Sequence, residues 1–404
     1  MPQHAESEDA HVIDPTVKSQ TTTAGESSLV MAPASTTDAV LMNRSRRLVM
    51  WYLVSAFVAL QILFVVNLLG NGGGILPSPL VPCLSDRSWK ARRLEEMVAA
   101  GRSPEILLFG SSYVMQFQPS YLKERTGLEA FNFGVSMGRP IDALTLLRYA
   151  REVGVRPQRV IAAFHQEAFD SGLAAGTTRL ADYAPLLRQT PFPVNLQIVA
   201  ERLGNGRIWN TRQSIRNLLG HPQATRSLAD VDSLLLADGY LIYTKTTLAR
   251  HNGTFDLEQE LIKKNAATDP DPAPLSNLEQ SAQFAYLEQF LRLASADSAQ
   301  IQLVLMPKHP AVITDYNRSH RSIIVQKLKT ICATVDCQFF DLDSVSLYSG
   351  DLAEFHDAGH QSPVNTRRII NLLLGERVED DATQSPSDWE ILSDLPAGTT
   401  LTTP

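Results

Sequence analysis

The residues able to do chemistry lie at two distant places in this 404-residue chain. Residues 105–113 read EILLFGSSY, in which the apolar run Ile106, Leu107, Leu108 and Phe109 ends at Gly110, Ser111 and Ser112. Such a run, closed by Gly and small polar residues, predicts a buried strand that delivers a tight turn. The carboxyl ends of strands in a parallel α/β sheet are where ligands bind. A serine hydroxyl there becomes a nucleophile only when a base removes its proton. The available base lies in residues 355–360, FHDAGH, where His360 follows Asp357 by three positions. A turn in that segment lets the Asp357 carboxylate fix the His360 tautomer, and His360 can then activate Ser112. Attack on an ester gives an acyl-serine, which water hydrolyses or a sugar hydroxyl accepts. The backbone N–H groups of Ser112 and Gly134 are candidate donors to the developing oxyanion.

Each of these residues has a plainer role open to it. Ser112 can cap the helix that follows its strand. Ser111 offers a neighbouring hydroxyl, and His356 a neighbouring imidazole. Gly134 and Gly138 can serve tight turns alone. Arg139 binds an anionic substrate or is simply solvated. His309, in the MPKHP that follows a fourth strand, lines the pocket at the same sheet edge or is structural.

The elements needed to bring these groups together follow from hydrophobic patterning. Strands are expected at 105–109, 130–135, 159–164, 301–306 and 337–342. Helices are expected at 92–101, 140–153, 278–294, 320–334 and 362–374, the last with Ser362 as cap and Pro363 in its first turn. Alternation of strand and helix implies α/β architecture, a mostly parallel five-stranded sheet with right-handed crossovers. Residues 171–275 break the rhythm with Pro185, Pro191, Pro193 and Pro222 and read as an insertion over one edge of the sheet.

The ends of the chain differ from its middle. Residues 1–47 carry net charge −2 and residues 376–404 carry −6, so the remainder of the chain, whose total is −7, is close to neutral. No basic run points to nucleic acid. Residues 1–47 read as a disordered N-terminus and 376–404 as an acidic disordered tail, with Trp389, Ile391 and Leu392 as a short docking motif. Between them, 48–70 is apolar and 71–91 is a linker rich in Gly and Pro, leaving 92–375 as the folded domain. The 23 residues of 48–70, at about 1.5 Å each, cross a hydrocarbon core of about 30 Å. Trp51 and Tyr52 sit at interfacial depth, and Arg44, Arg46 and Arg47 favour a cytoplasmic amino side, against the opposing charge of Arg87, Lys90, Arg92 and Arg93 beyond the span. The domain is then expected in the periplasm or outside the cell. Of three cysteines, Cys332 and Cys337 either pair in such a compartment or remain buried thiols. The spacing of Cys and His gives no metal site, and no nucleotide motif occurs, so no cofactor is expected.

Taken together, three blocks resemble the SGNH/GDSL hydrolases. Residues 110–112, GSS, are similar to the family's GDS block with Ser111 in place of Asp, which makes Ser112 the nucleophile. Residues 132–138, NFGVSMG, resemble the second block, whose Gly, here Gly134, gives an oxyanion-hole N–H. Residues 357–360, DAGH, match the DxxH block that supplies the triad Asp and His. The third block, GxND, is missing; 164–169 read FHQEAF, where Gln166 stands as a substitute amide donor. The resemblance spans about 100–375 without much of the insertion. It implies a three-layer α/β/α domain and an esterase or O-acyltransferase acting on acyl esters. A single span before the domain resembles the membrane-anchored SGNH-like proteins of bacterial envelope polymer acylation. That implies a glycan substrate and a multi-span acyltransferase partner. The competing expectation is a catalytically silent scaffold of the same fold.

Overall fold

The computed structural model describes residues 36–70, 85–171, 176–204, 211–219, 232–266, 275–376 and 387–395. The chain falls into two units divided between Leu60 and Gln61. One helix, Thr36–Gly70, begins in the first and ends in the second. Its stretch Met42–Gly70 is long and apolar enough to cross a membrane, and Leu48, Trp51, Tyr52, Phe57 and Leu60 are all exposed on it. The expectation of disorder up to residue 47 therefore fails for 36–47, which are helical, while 1–35 lie outside the described residues.

The second unit is built on a parallel sheet. Strands β1 (Ile106–Gly110), β2 (Ala130–Asn132) and β3 (Arg159–Phe164) are followed by a short antiparallel hairpin, β4 (Leu234–Leu235) with β5 (Leu241–Ile242). Strands β6 (Gln300–Leu305) and β7 (Gln338–Asp341) complete the main sheet, in the order β2-β1-β3-β6-β7. All four of its pairings are parallel. Both faces are buried, as the continuous apolar runs require. Leu107 and Phe109 of β1 enter one core with residues of helices Pro140–Glu152 and Ala282–Ser295. Ile106 and Leu108 enter another with residues of helices Pro119–Thr126 and Pro363–Leu374.

Three local outcomes differ from the patterning. β2 is three residues long rather than six and ends at Asn132, which still pairs with Leu108. Its amide donates to the carbonyls of Val114 and Phe117, and its oxygen accepts the N–H of Gly134. The first helix of the domain starts at Asp86, inside the expected linker, with Ser85 as its N-cap. Arg87 is wholly buried there, bonded to Asp142 at 2.8 Å and Asp86 at 3.2 Å. Burial opposes ionisation of Asp86, but the adjacent Arg87 charge and the Ser136 N–H hold its carboxyl below its usual range. Last, part of the expected disordered tail is a helix, Asp388–Ser393, capped by Ser387. Leu392 packs with Leu234, Tyr240 and Ile242, and the Tyr240 hydroxyl donates to Asp388 at 2.6 Å.

The hairpin of the insertion closes an edge of the sheet. The Asn132 N–H donates to the Asp238 carbonyl at 2.9 Å, so β2 does not present a bare edge there. Cys332 and Cys337 form a disulfide at the end of helix Asp315–Val335.

Candidate active site

The turn after β1 is set by Gly110. Its φ of 141° is left-handed, and a Cβ at that position would stand 1.8 Å from the Ala163 carbonyl oxygen on β3. Only glycine fits. Ser111 then points inward, with a buried hydroxyl that has no partner among the described residues. Ser112 faces the other way and is partly exposed.

His360 arrives from the loop between β7 and helix Pro363–Leu374. Its Nε2 lies 2.8 Å from Ser112 Oγ, across 248 positions of sequence. Its Nδ1 lies 2.8 Å from Asp357 Oδ2. The other carboxylate oxygen, Oδ1, accepts the backbone N–H groups of Gly359 and His360, both at 2.8 Å. This is the turn that a three-residue Asp-to-His spacing requires. Burial works against the Asp357 charge, but these bonds outweigh it and keep the carboxyl well below its ordinary range. The ionised Asp357 thus directs the Nδ1 proton toward itself and leaves an Nε2 lone pair facing the serine hydroxyl.

The surrounding histidines are inert by comparison. His356 is buried, and neither ring nitrogen has a partner among the described residues. Burial, with Arg250 and His360 nearby, pushes it down to about 3. His165, at the end of β3, is pushed down to about 4 chiefly by burial, so it too is neutral near pH 7. His309 meets the loop of Asp357 and His360 through its backbone, whose N–H donates to the Ala358 carbonyl at 2.9 Å, and its Nδ1 accepts from the Ala311 N–H. Its ring packs edge-on against Phe355 at 5.2 Å.

The other expected site residues are dispersed. Gly134 donates its N–H to Asn132 Oδ1 at 2.9 Å, turning it away from any oxyanion beside Ser112. Its carbonyl accepts from the buried ammonium of Lys90 at 2.5 Å. Desolvation pulls Lys90 down to about 7. Gln166 lines a cleft of about 420 Å³ with Lys308, Arg321 and Asp341, none of them triad residues. Arg139 Nη1 donates to the Asp170 carbonyl at 2.8 Å. By contrast, the Ser112 N–H makes no hydrogen bond among the described residues, leaving one oxyanion donor in hand.

Two aromatic residues are absent from the sequence expectations yet shape the site. The rings of Tyr113 and Tyr243 lie 5.1 and 5.2 Å from that of His360. Tyr113 also stacks on His165 at 5.0 Å. Tyr113 directly follows the candidate nucleophile Ser112, so its adjacency was a signal. Tyr243 comes from the insertion, where no periodicity marks it. No group of three or more His, Cys, Asp or Glu among the described residues is placed to hold a metal. In comparisons with known proteins, no family model and no curated protein matches this chain.

Proposed function

We propose that this chain is a membrane-anchored serine esterase or O-acyltransferase acting on acyl esters of envelope glycans. The hydrogen-bonded run from Ser112 through His360 to Asp357 is the observation that carries the reading. Ser112 Oγ attacks the ester carbonyl carbon while His360 Nε2 takes the hydroxyl proton. Asp357 stabilises the imidazolium that forms. The tetrahedral oxyanion is met by the Ser112 N–H. Collapse breaks the bond to the leaving alcohol, which takes the proton from His360. Water, or a sugar hydroxyl in transfer, then attacks the acyl carbon while giving its proton to His360, and collapse breaks the bond to Ser112 Oγ, which takes that proton back.

The parallel sheet with two buried faces supports an SGNH-like, three-layer α/β/α arrangement. The apolar helix supports a single span with the amino side in the cytoplasm. Arg87 and Lys90 do not weigh against that orientation, because both are enclosed in the domain rather than available as flanking charge. The Cys332–Cys337 bond supports a domain beyond the cytoplasm.

A second reading is a silent scaffold that holds a multi-span acyltransferase partner. The inward-turned Gly134 N–H favours it, since one oxyanion donor is worth about 2.7–4 kcal/mol in the transition state. Labelling of the full chain by a fluorophosphonate, and its turnover of p-nitrophenyl acetate, separate the two. The enzyme reading expects both activities in wild type and neither in Ser112→Ala. Absence of both from wild type, with a multi-span partner recovered equally well by Ser112→Ala, supports the scaffold.

A further inference from the structure

The insertion carries a surface that the triad chemistry does not use. Along helix Thr211–Leu218, Thr211 and Ser214 face the end of the long apolar helix. Asn67 Nδ2 donates to Thr211 Oγ1 at 2.9 Å, and the Ser214 hydroxyl donates to Asn67 Oδ1 at 3.2 Å. Gly70 permits the approach, since a Cβ there would fall 2.3 Å from the Ser214 carbonyl oxygen. Beside this contact stripe run Ile215, Leu218 and Leu219, a spacing that gathers them on one face. They are 44%, 36% and 70% exposed. Arg212 and Arg216, one turn apart, border the stripe on its far side, both exposed. From 202 to 229 the sequence has five arginines and no acid.

We propose that this helix lies on an anionic lipid surface, at the level where the membrane-crossing segment leaves the hydrocarbon. The inference rests on the reading of 48–70 as a span. Three observations carry it. Asn67 stands near the end of the apolar run, so its bonds to Thr211 and Ser214 hold the helix at the depth where lipid headgroups begin. The exposed aliphatic stripe adjoins that contact, where acyl chains surround the span. The arginine border then meets headgroup phosphates, the order of groups expected of a helix seated in the interface. Continuity with the span and one-signed charge favour lipid over a protein partner. The consequence is a second membrane contact, which restrains how the catalytic unit tilts over the bilayer.

Depth-resolved fluorescence on the full chain tests this. In a Cys83→Ser background the other two cysteines are disulfide-bonded, so one introduced thiol is labelled at a time. An environment-sensitive probe is placed at Leu219→Cys, at Val58→Cys within the span, and at Leu352→Cys as an exposed control. The protein is reconstituted in vesicles of phosphatidylcholine with or without phosphatidylglycerol, carrying nitroxide lipids at shallow or deep positions. The expected result is deep quenching at Val58, shallow quenching with a blue shift at Leu219, and neither at Leu352. The Leu219 signal should weaken without phosphatidylglycerol and in Arg212→Glu/Arg216→Glu. Deep quenching at Val58 with none at Leu219 overturns the proposal and leaves the span standing. Absence of quenching at both overturns the span and the proposal together. A Leu219 blue shift that grows with protein concentration but is insensitive to lipid nitroxides overturns the proposal in favour of self-association.

Discussion

Replacing His356 with leucine tests whether the shell behind the catalytic loop is as dry as its geometry implies. The imidazole is buried, and both nitrogens lack partners among the described residues. Burial first, then the Arg250 and His360 charges, lower it from an ordinary 6.5 to about 3. In the unfolded chain the same ring takes a proton as pH falls through about 6.5. Between those values the unfolded state therefore binds one more proton than the folded state, and folding stability falls with falling pH. One and a half units of that window, at about 1.4 kcal/mol each, amount to about 2 kcal/mol lost between pH 7.5 and 5.0. His165, lowered to about 4, adds its own loss, but it is present in both proteins and cancels. The assay is urea unfolding of the full chain in detergent, wild type against His356→Leu, at the two pH values. Leucine shifts stability at both, so the quantity of interest is the pH-dependent difference. Wild type should lose about 2 kcal/mol more than the variant on acidification. Equal losses would refute the reasoning, because they would mean that a partner receives the His356 proton in the folded state.

Two further substitutions separate chemistry from scaffolding. Asp357→Asn keeps an oxygen for the Gly359 and His360 N–H groups but misdirects the His360 tautomer; turnover of p-nitrophenyl acetate should fall by about 10³–10⁴, with the melting temperature nearly unchanged. Gly110→Ala forces a Cβ to within 1.8 Å of the Ala163 oxygen at a φ of 141° and should cost at least about 3 kcal/mol in thermal unfolding or prevent folding. Gly154→Ala, whose φ is 92° with open space around it, should cost only about 1 kcal/mol in the same assay.

How much of this was legible beforehand depended on whether the cause was local. The strands at 106–110 and 159–164 are runs of apolar residues, and such runs carry their own signal. Asp357 and His360 are close in sequence, so their spacing already implied a turn. Arg87 fell inside the expected linker, because its buried partner Asp142 is 55 positions away and invisible to local composition. The partners of the Asn132 side chain were equally illegible, since it bonds to Val114 and Phe117 as well as to Gly134. Acidic composition hid helix Asp388–Ser393, although the acid Asp388 is part of what docks it. The Gly134 N–H illustrates the limit of a motif: the glycine is where the pattern puts it, and a neighbouring amide decides where its hydrogen points.

The distance along the chain between Ser112 and His360 has a consequence for how the protein is made. A polypeptide emerges from its amino end, so Ser112 emerges long before His360, the imidazole that activates it in the proposed reaction. The hairpin that bears Tyr243, and the terminal helix fastened to that hairpin through Tyr240 and Asp388, come later than the serine as well. On the proposed mechanism, every partial product of synthesis short of residue 360 is thus left with an ordinary alcohol at Ser112. The arrival of residue 360 is, on that mechanism, the step that switches the serine on.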